Sequence, residues 1–378
     1  MTTDEHPSAP LFVMAGGGTG GHVIPAIAVA RELRAMGFPV LFVGTERGAE
    51  GRLVPAAGFR LEKIRVGGLM NLGLATKLLS LWRLIAETFA QIAAFGRWRP
   101  AAVFSMGGYV AGPPVLAALL RRVPVVVMEP NATPGLTNRW IARWVKRALI
   151  SFPRTARFFP EGRTELTGLP VRDEFFRLPE PETSASFTIL ITGGSQGSRT
   201  LNEAARAAWP LFRDAALPVR LLHQTGSAMF ESISNDFRAA GLSGEVLAFI
   251  PDMPSAFAQA DLVVCRSGAG AVSELAAAAR PSVLIPFPFA ADDHQLHNAE
   301  AFRDAGAALL FTDREWTGER FFEAVRALFG DRARLSAMSA AARKLAQPGA
   351  ARRAAEILVE SAGLTAKSID TRLTESKQ

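Results

Sequence analysis

Twice along the chain an apolar run breaks into a glycine-rich loop and then into an amphipathic stretch: "LFVMAGGGTGGHVIPAIAVARELRAMG" over residues 11–37 and "FTILITGGSQGSRTLNEAARAA" over 187–208. A buried strand that runs straight into a helix must cross over before it can pair with its next strand, so the chain is committed to parallel βαβ units. Each half keeps that rhythm. In the first, "LFVMA" precedes a helical pattern at 23–36, "PVLFVG" precedes a turn, "AAVFSM" precedes a helix at 110–120, and "VPVVVME" precedes one at 134–147. In the second, "VRLLHQTG", "VLAFI", "LVVCRSGAGAVSELAAAA" and "SVLIPFP" follow the glycine loop. The expected fold is α/β, two Rossmann-like doubly wound domains with a cleft between them. Ligands of such sheets bind beyond the carboxyl ends of the strands.

A chain of 378 residues exceeds the size at which one core keeps growing, which agrees with two domains. The stretch "LPEPETSAS" reads as the linker. The expected division is a polar tail at 1–10, a first domain at 11–177, a linker at 178–186, a second domain at 187–364 and a polar tail at 365–378. Cys265 is the sole cysteine, so an internal disulfide and a cysteine-built zinc cage are excluded. "MTTDEHPSAP" lacks the basic start and apolar core of a signal peptide, and a cytoplasmic location is expected. The net charge of +7 favours nucleic acid, anionic lipid or phosphorylated substrates. With one tyrosine and no interleaved arginine and aromatic pattern, nucleic acid has little support.

Four stretches can carry chemistry. In "GGGTGGH", Gly16 to His22, backbone N–H groups and the positive end of a helix dipole suit an anion, and a histidine beside it can move a proton. The same glycines satisfy the dinucleotide spacing, with Glu46 as a ribose ligand, so a nicotinamide enzyme stays open. "GGSQGS", Gly193 to Ser198, repeats the arrangement, with Ser195 able to bond a phosphate. In "CRSGAGAVSEL", Glu274 either accepts from a ribose diol or complements a helix dipole. "PFPFAADDHQLHNAE", residues 286–300, sets His294 and His297 three apart without the HExxH spacing of a metal site, and its amides and acids suit sugar hydroxyls. Residues 74–99 form one further amphipathic stretch. It is either a core helix or a surface helix whose Trp82 enters a headgroup layer while Lys77, Arg83, Arg97 and Arg99 meet anionic lipid.

Taken together, "GGGTGGHVIPAIAVA", "MGGYVAGP", "GLTNRW", "GLPVR", "GGSQGS", "CRSGAGAVSEL" and "PFPFAADDHQLHNA" make residues 11–362 resemble the peptidoglycan glycosyltransferases. These add N-acetylglucosamine to undecaprenyl-pyrophosphoryl-muramoyl-pentapeptide, converting lipid I to lipid II. The resemblance implies a GT-B fold and an inverting transfer from UDP-N-acetylglucosamine to the C4 hydroxyl of the muramoyl sugar. It implies donor contacts from Thr19, Gly20, Gly21 and Asn131 in the first domain, and from Arg172, Ser195, Ile250 as uracil reader, Glu274 as ribose ligand and Gln295 as sugar partner. His22 is the candidate catalytic base, with no cofactor and no metal expected. The acceptor implies peripheral attachment to an anionic membrane surface, at the cytoplasmic face of the cell membrane, and turns the 74–99 helix into a docking patch. The chain departs from the family in having Met128 in "MEPN" and Leu169 before Pro-Val-Arg. Other readings are a UDP-N-acetylglucosamine 2-epimerase, a glycolipid synthase, a nicotinamide oxidoreductase and a basic lipid-surface adaptor.

Overall fold

A computed structural model describes residues 9–67, 74–179 and 186–364, with the side chains of the 74–98 helix described from residue 82 onward. The chain divides into two compact units, Met1–Pro170 with Gly349–Gln378, and Val171–Pro348.

The first unit is built on β1 (Phe12–Ala15), β2 (Val40–Gly44), β3 (Arg60–Lys63), β4 (Ala102–Ser105), β5 (Val125–Glu129), β6 (Arg147–Ile150) and β7 (Thr164–Leu166). They form a seven-stranded sheet in the order β3-β2-β1-β4-β5-β6-β7. All its pairings are parallel. β1 and β5 are buried along their whole length, as strands covered on both faces must be. The connecting helices are α1 (Gly20–Ala35), α2 (Ala49–Ala56), α3 (Leu74–Trp98), α4 (Gly112–Leu120) and α5 (Leu136–Ile141). Right-handed crossovers from β3 through β6 put α3, α4 and α5 on one face, and those from β1 through β3 put α1 and α2 on the other.

The second unit has β8 (Phe187–Thr192), β9 (Val219–Gln224), β10 (Ser243–Leu247), β11 (Leu262–Cys265), β12 (Ser282–Leu284) and β13 (Ala308–Leu310) in the order β10-β9-β8-β11-β12-β13. These pairings are parallel too. Its helices are α6 (Arg199–Asp214), α7 (Phe230–Ala240), α8 (Met253–Gln259), α9 (Ala269–Ala278), α10 (His294–Asp304), α11 (Gly318–Phe329) and α12 (Arg332–Leu345). Side chains of Ser198, Asp252, Thr317 and Asp331 cap α6, α8, α11 and α12. Trp209, Phe212 and Phe321 anchor the core beneath β8. Strand order reverses beside β1 and beside β8, and each glycine loop leaves its sheet at that reversal.

The last helix, α13 (Ala350–Ser361), belongs to the first unit. This corrects the expected second domain at 187–364. α13 buries Ala354, Ala355, Ile357, Leu358 and Val359 and packs on α1 and under β4, β5 and β6. Arg353 adds a two-pronged contact with Glu165 at 2.6 and 3.1 Å. The near boundary moves as well. Phe175 is fully buried against Phe257, ring centroids 5.1 Å apart, and buried Arg280 donates to the Pro179 carbonyl at 2.7 Å. Residues 171–179 are thus part of the second unit rather than of a first domain reaching 177. Residues 180–185 of the expected linker, most of the first tail and the tail at 365–378 lie outside the described residues. The helix expected over 134–147 stops at Ile141, because Arg147–Ile150 is needed as a strand beside β5.

Candidate active site

In the first unit the glycine loop is shaped from below. Glu50, fully buried near the start of α2, accepts from the Gly18 N–H (2.8 Å), the Thr45 N–H (2.9 Å) and the Thr45 hydroxyl (2.6 Å). A Cβ on Gly17 or Gly48 would overlap its carboxylate, so those glycines make room for the acid. Burial pushes the Glu50 pKa up, and the bonds from Thr45 and Gly18 more than reverse this, holding it below its ordinary value. An ionised carboxylate therefore lies under a loop that was expected to attract an anion, and one of the loop's donors is spent on it. Glu46, the possible ribose ligand of a nicotinamide enzyme, instead contacts Lys63 at 2.6 Å.

His22 lies in the first turn of α1, half-buried, with Nδ1 3.2 Å from the Gly17 carbonyl. A carbonyl only accepts, so Nδ1 carries the proton and Nε2 is the basic nitrogen of the neutral ring. Gly108, after β4, lies beside the imidazole; a Cβ there would be in ordinary van der Waals contact with the ring at 3.6 Å, so it is the φ of +77° rather than space that favours glycine. Thr19 occupies the N-cap position of α1, exposed, and Gly20 and Gly21 open the helix.

Asn131 follows β5 and donates through both its N–H (3.0 Å) and Nδ2 (3.1 Å) to one oxygen of Glu129. The other oxygen accepts from the Gly135 N–H (3.1 Å) and Asn138 Nδ2 (2.9 Å). Burial raises the Glu129 pKa against these bonds. Met128 and Leu169, the two departures, are both buried and apolar, and the Met128 carbonyl accepts from Asn138 at 3.1 Å.

In the second unit the expected residues gather beyond the carboxyl ends of the strands. Ser195 is exposed in the loop after β8. Gln224, buried at the end of β9, donates to the Gly194 carbonyl (2.9 Å) and to the Thr192 hydroxyl (3.1 Å), and accepts from the Ile250 N–H at 2.7 Å. That leaves the Ile250 carbonyl as the polar group this residue offers to a base. Gly197 has φ +75° and crosses the backbone of Thr225 so closely that a Cβ would overlap the Thr225 carbonyl.

Glu274 on α9 is half-buried, and burial pushes its pKa up to about 7, with Arg172 pulling the other way. Arg172 also lowers Asp252 slightly, behind the bonds from Ser255, and its guanidinium lies 5.1 Å from the Phe175 centroid. Arg172 and Glu274 are thus brought together within this unit. Gln295 stands in the first turn of α10, where its Oε1 accepts from the Phe287 N–H (3.0 Å) and its carbonyl from the Ser267 hydroxyl (2.7 Å). Its amide N–H₂ is the part that can reach a sugar hydroxyl. His294 bonds the Ala291 carbonyl (2.6 Å) and His297 bonds Glu300 (3.0 Å). No group of three metal-capable side chains occurs among the described residues.

Sequence reasoning missed Glu50 and Gln224, the buried anchors of the two loops. A polar residue closing an otherwise apolar strand, as in "VRLLHQTG", was the available signal for the second.

α3 is a core helix toward its end, where Ala94 and Phe95 are buried, and carries an exposed apolar face as well. Trp82 is 66% and Phe89 68% exposed, while Gln91 is buried. Arg83, Arg97 and Arg99 are exposed, and the side chain of Lys77 lies outside the described residues. Leu120 at the end of α4, and Leu136 and Trp140 (77% exposed) on α5, are exposed as well. The spacing of Leu136, Trp140 and Trp144 at every fourth residue carried that signal. No helix among the described residues is long and apolar enough to cross a membrane.

Residues 12–150 match the glycosyltransferase family 28 N-terminal domain and residues 188–355 the family 28 C-terminal domain. The chain is 62% identical over 357 residues to the UDP-N-acetylglucosamine--N-acetylmuramyl-(pentapeptide) pyrophosphoryl-undecaprenol N-acetylglucosamine transferase of Solibacter usitatus, covering 94% of this chain and 97% of that protein. It is 42% identical over 354 residues to the enzyme of the same name from Anaeromyxobacter dehalogenans, covering 92% of each. The crystal structure of Acinetobacter baumannii MurG superposes with a TM-score of 0.78 at 33% identity, covering 93% of this chain and 99% of that one.

Proposed function

The chain belongs to glycosyltransferase family 28, among the UDP-N-acetylglucosamine--N-acetylmuramyl-(pentapeptide) pyrophosphoryl-undecaprenol N-acetylglucosamine transferases, and on that premise we propose how its residues divide the work. It moves N-acetylglucosamine from UDP-N-acetylglucosamine onto lipid I and so forms lipid II.

In our reading His22 Nε2 takes the proton from the C4 hydroxyl of the muramoyl sugar as that oxygen attacks the anomeric carbon, and the configuration inverts. The bond to the diphosphate breaks with its electron pair leaving on UDP. That charge is met by the 193–198 loop, the N-terminus of α6 and Arg172, so the fold supplies the positive potential without a metal. Glu274 accepts from the ribose diol, the Ile250 carbonyl from the uracil N3–H, and the Gln295 amide donates to a sugar hydroxyl. Thr19, Gly20, Gly21 and Asn131 complete the donor contacts from the first unit.

The observation that carries this reading is the His22 Nδ1 contact with the Gly17 carbonyl, which selects the tautomer able to act as a base through Nε2. The test is label transfer from UDP-N-acetylglucosamine into a lipid I analogue, run on the native chain and on His22→Ala with donor affinity measured alongside. Native turnover in the variant would return His22 to a structural role.

The exposed apolar side chains of α3, with Arg83, Arg97 and Arg99 near them and Lys77 in the same helix, support peripheral docking on an anionic membrane, at the cytoplasmic face where a polyprenyl acceptor is met. At about 1 kcal/mol per basic residue near a charged surface, reversing all four charges is expected to weaken binding to anionic vesicles at least about tenfold. Binding that survives the reversal moves the patch elsewhere.

A further inference from the structure

The carboxyl edge of the second unit carries a charged pair that none of these roles uses. Arg266, just after β11, and Asp313, just after β13, form an ion pair with side chains only 12% and 24% exposed. Arg266 also donates to the carbonyls of Ile285 (3.2 Å) and Pro286 (3.0 Å), and its guanidinium lies 5.6 Å from the Phe287 centroid. The second oxygen of Asp313 accepts from the Thr200 hydroxyl at 2.9 Å. Thr200 stands in the first turn of α6, immediately past the 193–198 loop. One carboxylate therefore ties together the segments that follow β8 and β11 and, through Arg266, the one that follows β12. Its own turn is fixed in advance, because Glu315 accepts from both the N–H and the hydroxyl of Thr312 at 2.8 Å.

Both handles on Gln295 start beside this pair. The Ser267 hydroxyl that holds the Gln295 carbonyl belongs to the residue after Arg266, and the Phe287 N–H that holds Gln295 Oε1 belongs to the residue after Pro286. Asn298 closes the arrangement by donating to the Ser267 carbonyl at 3.1 Å. We propose that Asp313 and Arg266 are positioning residues that fix the spacing between the diphosphate loop and Gln295, and thereby set the affinity for the nucleotide sugar and the preference for N-acetylglucosamine over sugars that differ in the orientation of a hydroxyl, for which its C4 epimer serves as the probe. The proposal rests on the donor-site reading above.

The physical basis is that both ends of one ligand must be met at once. A diphosphate held at 193–198 and a sugar held at Gln295 are a fixed covalent distance apart, and a small drift of one loop against the other forfeits the far contact. Removing one member of a largely buried, hydrogen-bonded ion pair leaves the other uncompensated, so the loops re-sort rather than relax in place.

The experiment compares Asp313→Ala, Asp313→Asn and Arg266→Lys with the native enzyme, using UDP-N-acetylglucosamine and UDP-N-acetylgalactosamine as donors and a lipid I analogue as acceptor. Asp313→Ala is expected to raise KM for UDP-N-acetylglucosamine about tenfold, cut the preference over the C4 epimer about fivefold, and leave the acceptor KM within about twofold. Arg266 reaches both carbonyls and Asp313 from the single nitrogen Nη1, and Arg266→Lys keeps a charge with three donors but loses the planar guanidinium beside Phe287, so it falls between. If Asp313→Ala does not fold, Asp313→Asn carries the same readouts. A lowered melting temperature with native KM and native sugar preference would make the pair purely structural and overturn the proposal. Glu274→Ala, measured in parallel, separates the failures. Weakened UDP binding there with native kinetics in the Asp313 variants rejects the positioning role alone, whereas unchanged UDP binding there removes the donor-site reading and the proposal together.

Discussion

Residues 16–22 and 193–198 occupy equivalent places, each leaving the third, interior strand of a parallel sheet for a sixteen-residue helix, yet different chemistry lies beneath them. Under the first is the buried carboxylate of Glu50, bonded to the Gly18 N–H. Under the second is the neutral amide of Gln224, bonded to the Gly194 carbonyl. The two anchors do the same mechanical job with opposite electrostatic consequences. A carboxylate at hydrogen-bond distance cancels much of the pull that a helix N-terminus exerts on an anion, whereas an amide leaves it intact. In the mechanism proposed above, proton transfer falls to the first loop, which carries His22, and the departing diphosphate to the second, a division this contrast supports.

The comparison is broken most severely at His22. His22→Ala is expected to lower turnover roughly 10²–10⁴-fold while donor affinity changes little, as judged by single-turnover kinetics and calorimetry. A parallel loss of donor affinity would give the first loop a share in holding the anion.

Next in size is the exchange of anchors. Gln224→Glu sets a charge beneath the second loop. At about 6 Å and an effective dielectric near 20, that opposes a diphosphate by roughly 3 kcal/mol, or about a hundredfold in affinity. Glu50→Gln does the reverse under the first loop. It is expected to cost about 2–3 kcal/mol of stability, read by denaturant titration, because the amide's N–H groups face donors that need an acceptor. If both variants bind donor like the native chain, the electrostatic contrast has no functional weight.

A smaller effect belongs to Glu274. Its pKa is pushed up to about 7 in the folded protein, above that of an exposed glutamate. Ribose hydroxyls donate to the ionised form, so affinity for UDP-N-acetylglucosamine should rise about tenfold between pH 6 and pH 8, and Glu274→Gln should flatten that profile. The same shift bears on stability. With the folded pKa raised, the stability contribution is present at low pH and lost as pH rises through about 7. Glu274→Gln should therefore stabilise the ligand-free protein by roughly 2 kcal/mol at pH 8 and by much less at pH 5. Equal gains at the two pH values would exclude the burial argument.

The smallest expected change is from chelation. If α6, its loop and Arg172 meet the leaving charge, EDTA should alter turnover of a detergent-solubilised acceptor by less than about twofold. Loss of turnover restored by added divalent ions would shift that task to a metal.

Much of the candidate site was legible in the sequence because it is local. Glycine loops between strand and helix, His22 at a helix start, Ser195 in its loop and Glu274 on a helix after small residues all follow from neighbours a few positions away. The loop anchors were not legible in that way. Glu50 lies 32 residues from Gly18, and Gln224 30 residues from Gly194, so only the parallel sheet brings them under their loops. The exposed face of α3 was open for a related reason, since a helix with apolar side chains on most sides does not say which of them find a neighbour.

By itself the sequence determined two parallel α/β units, the strand that opens each, and the glycine loop that follows that strand, since alternation of apolar runs with helical periodicity allows little else. Only the tertiary structure decided where those units end. α13 has the same amphipathic pattern as the helices before it, and its place under β4, β5 and β6 is set by shape and by the Arg353 contact with Glu165, 188 residues away. It likewise decided which loop carries a buried charge, because burial of an acid depends on donors that converge on it from separate strands, and local spacing does not encode convergence.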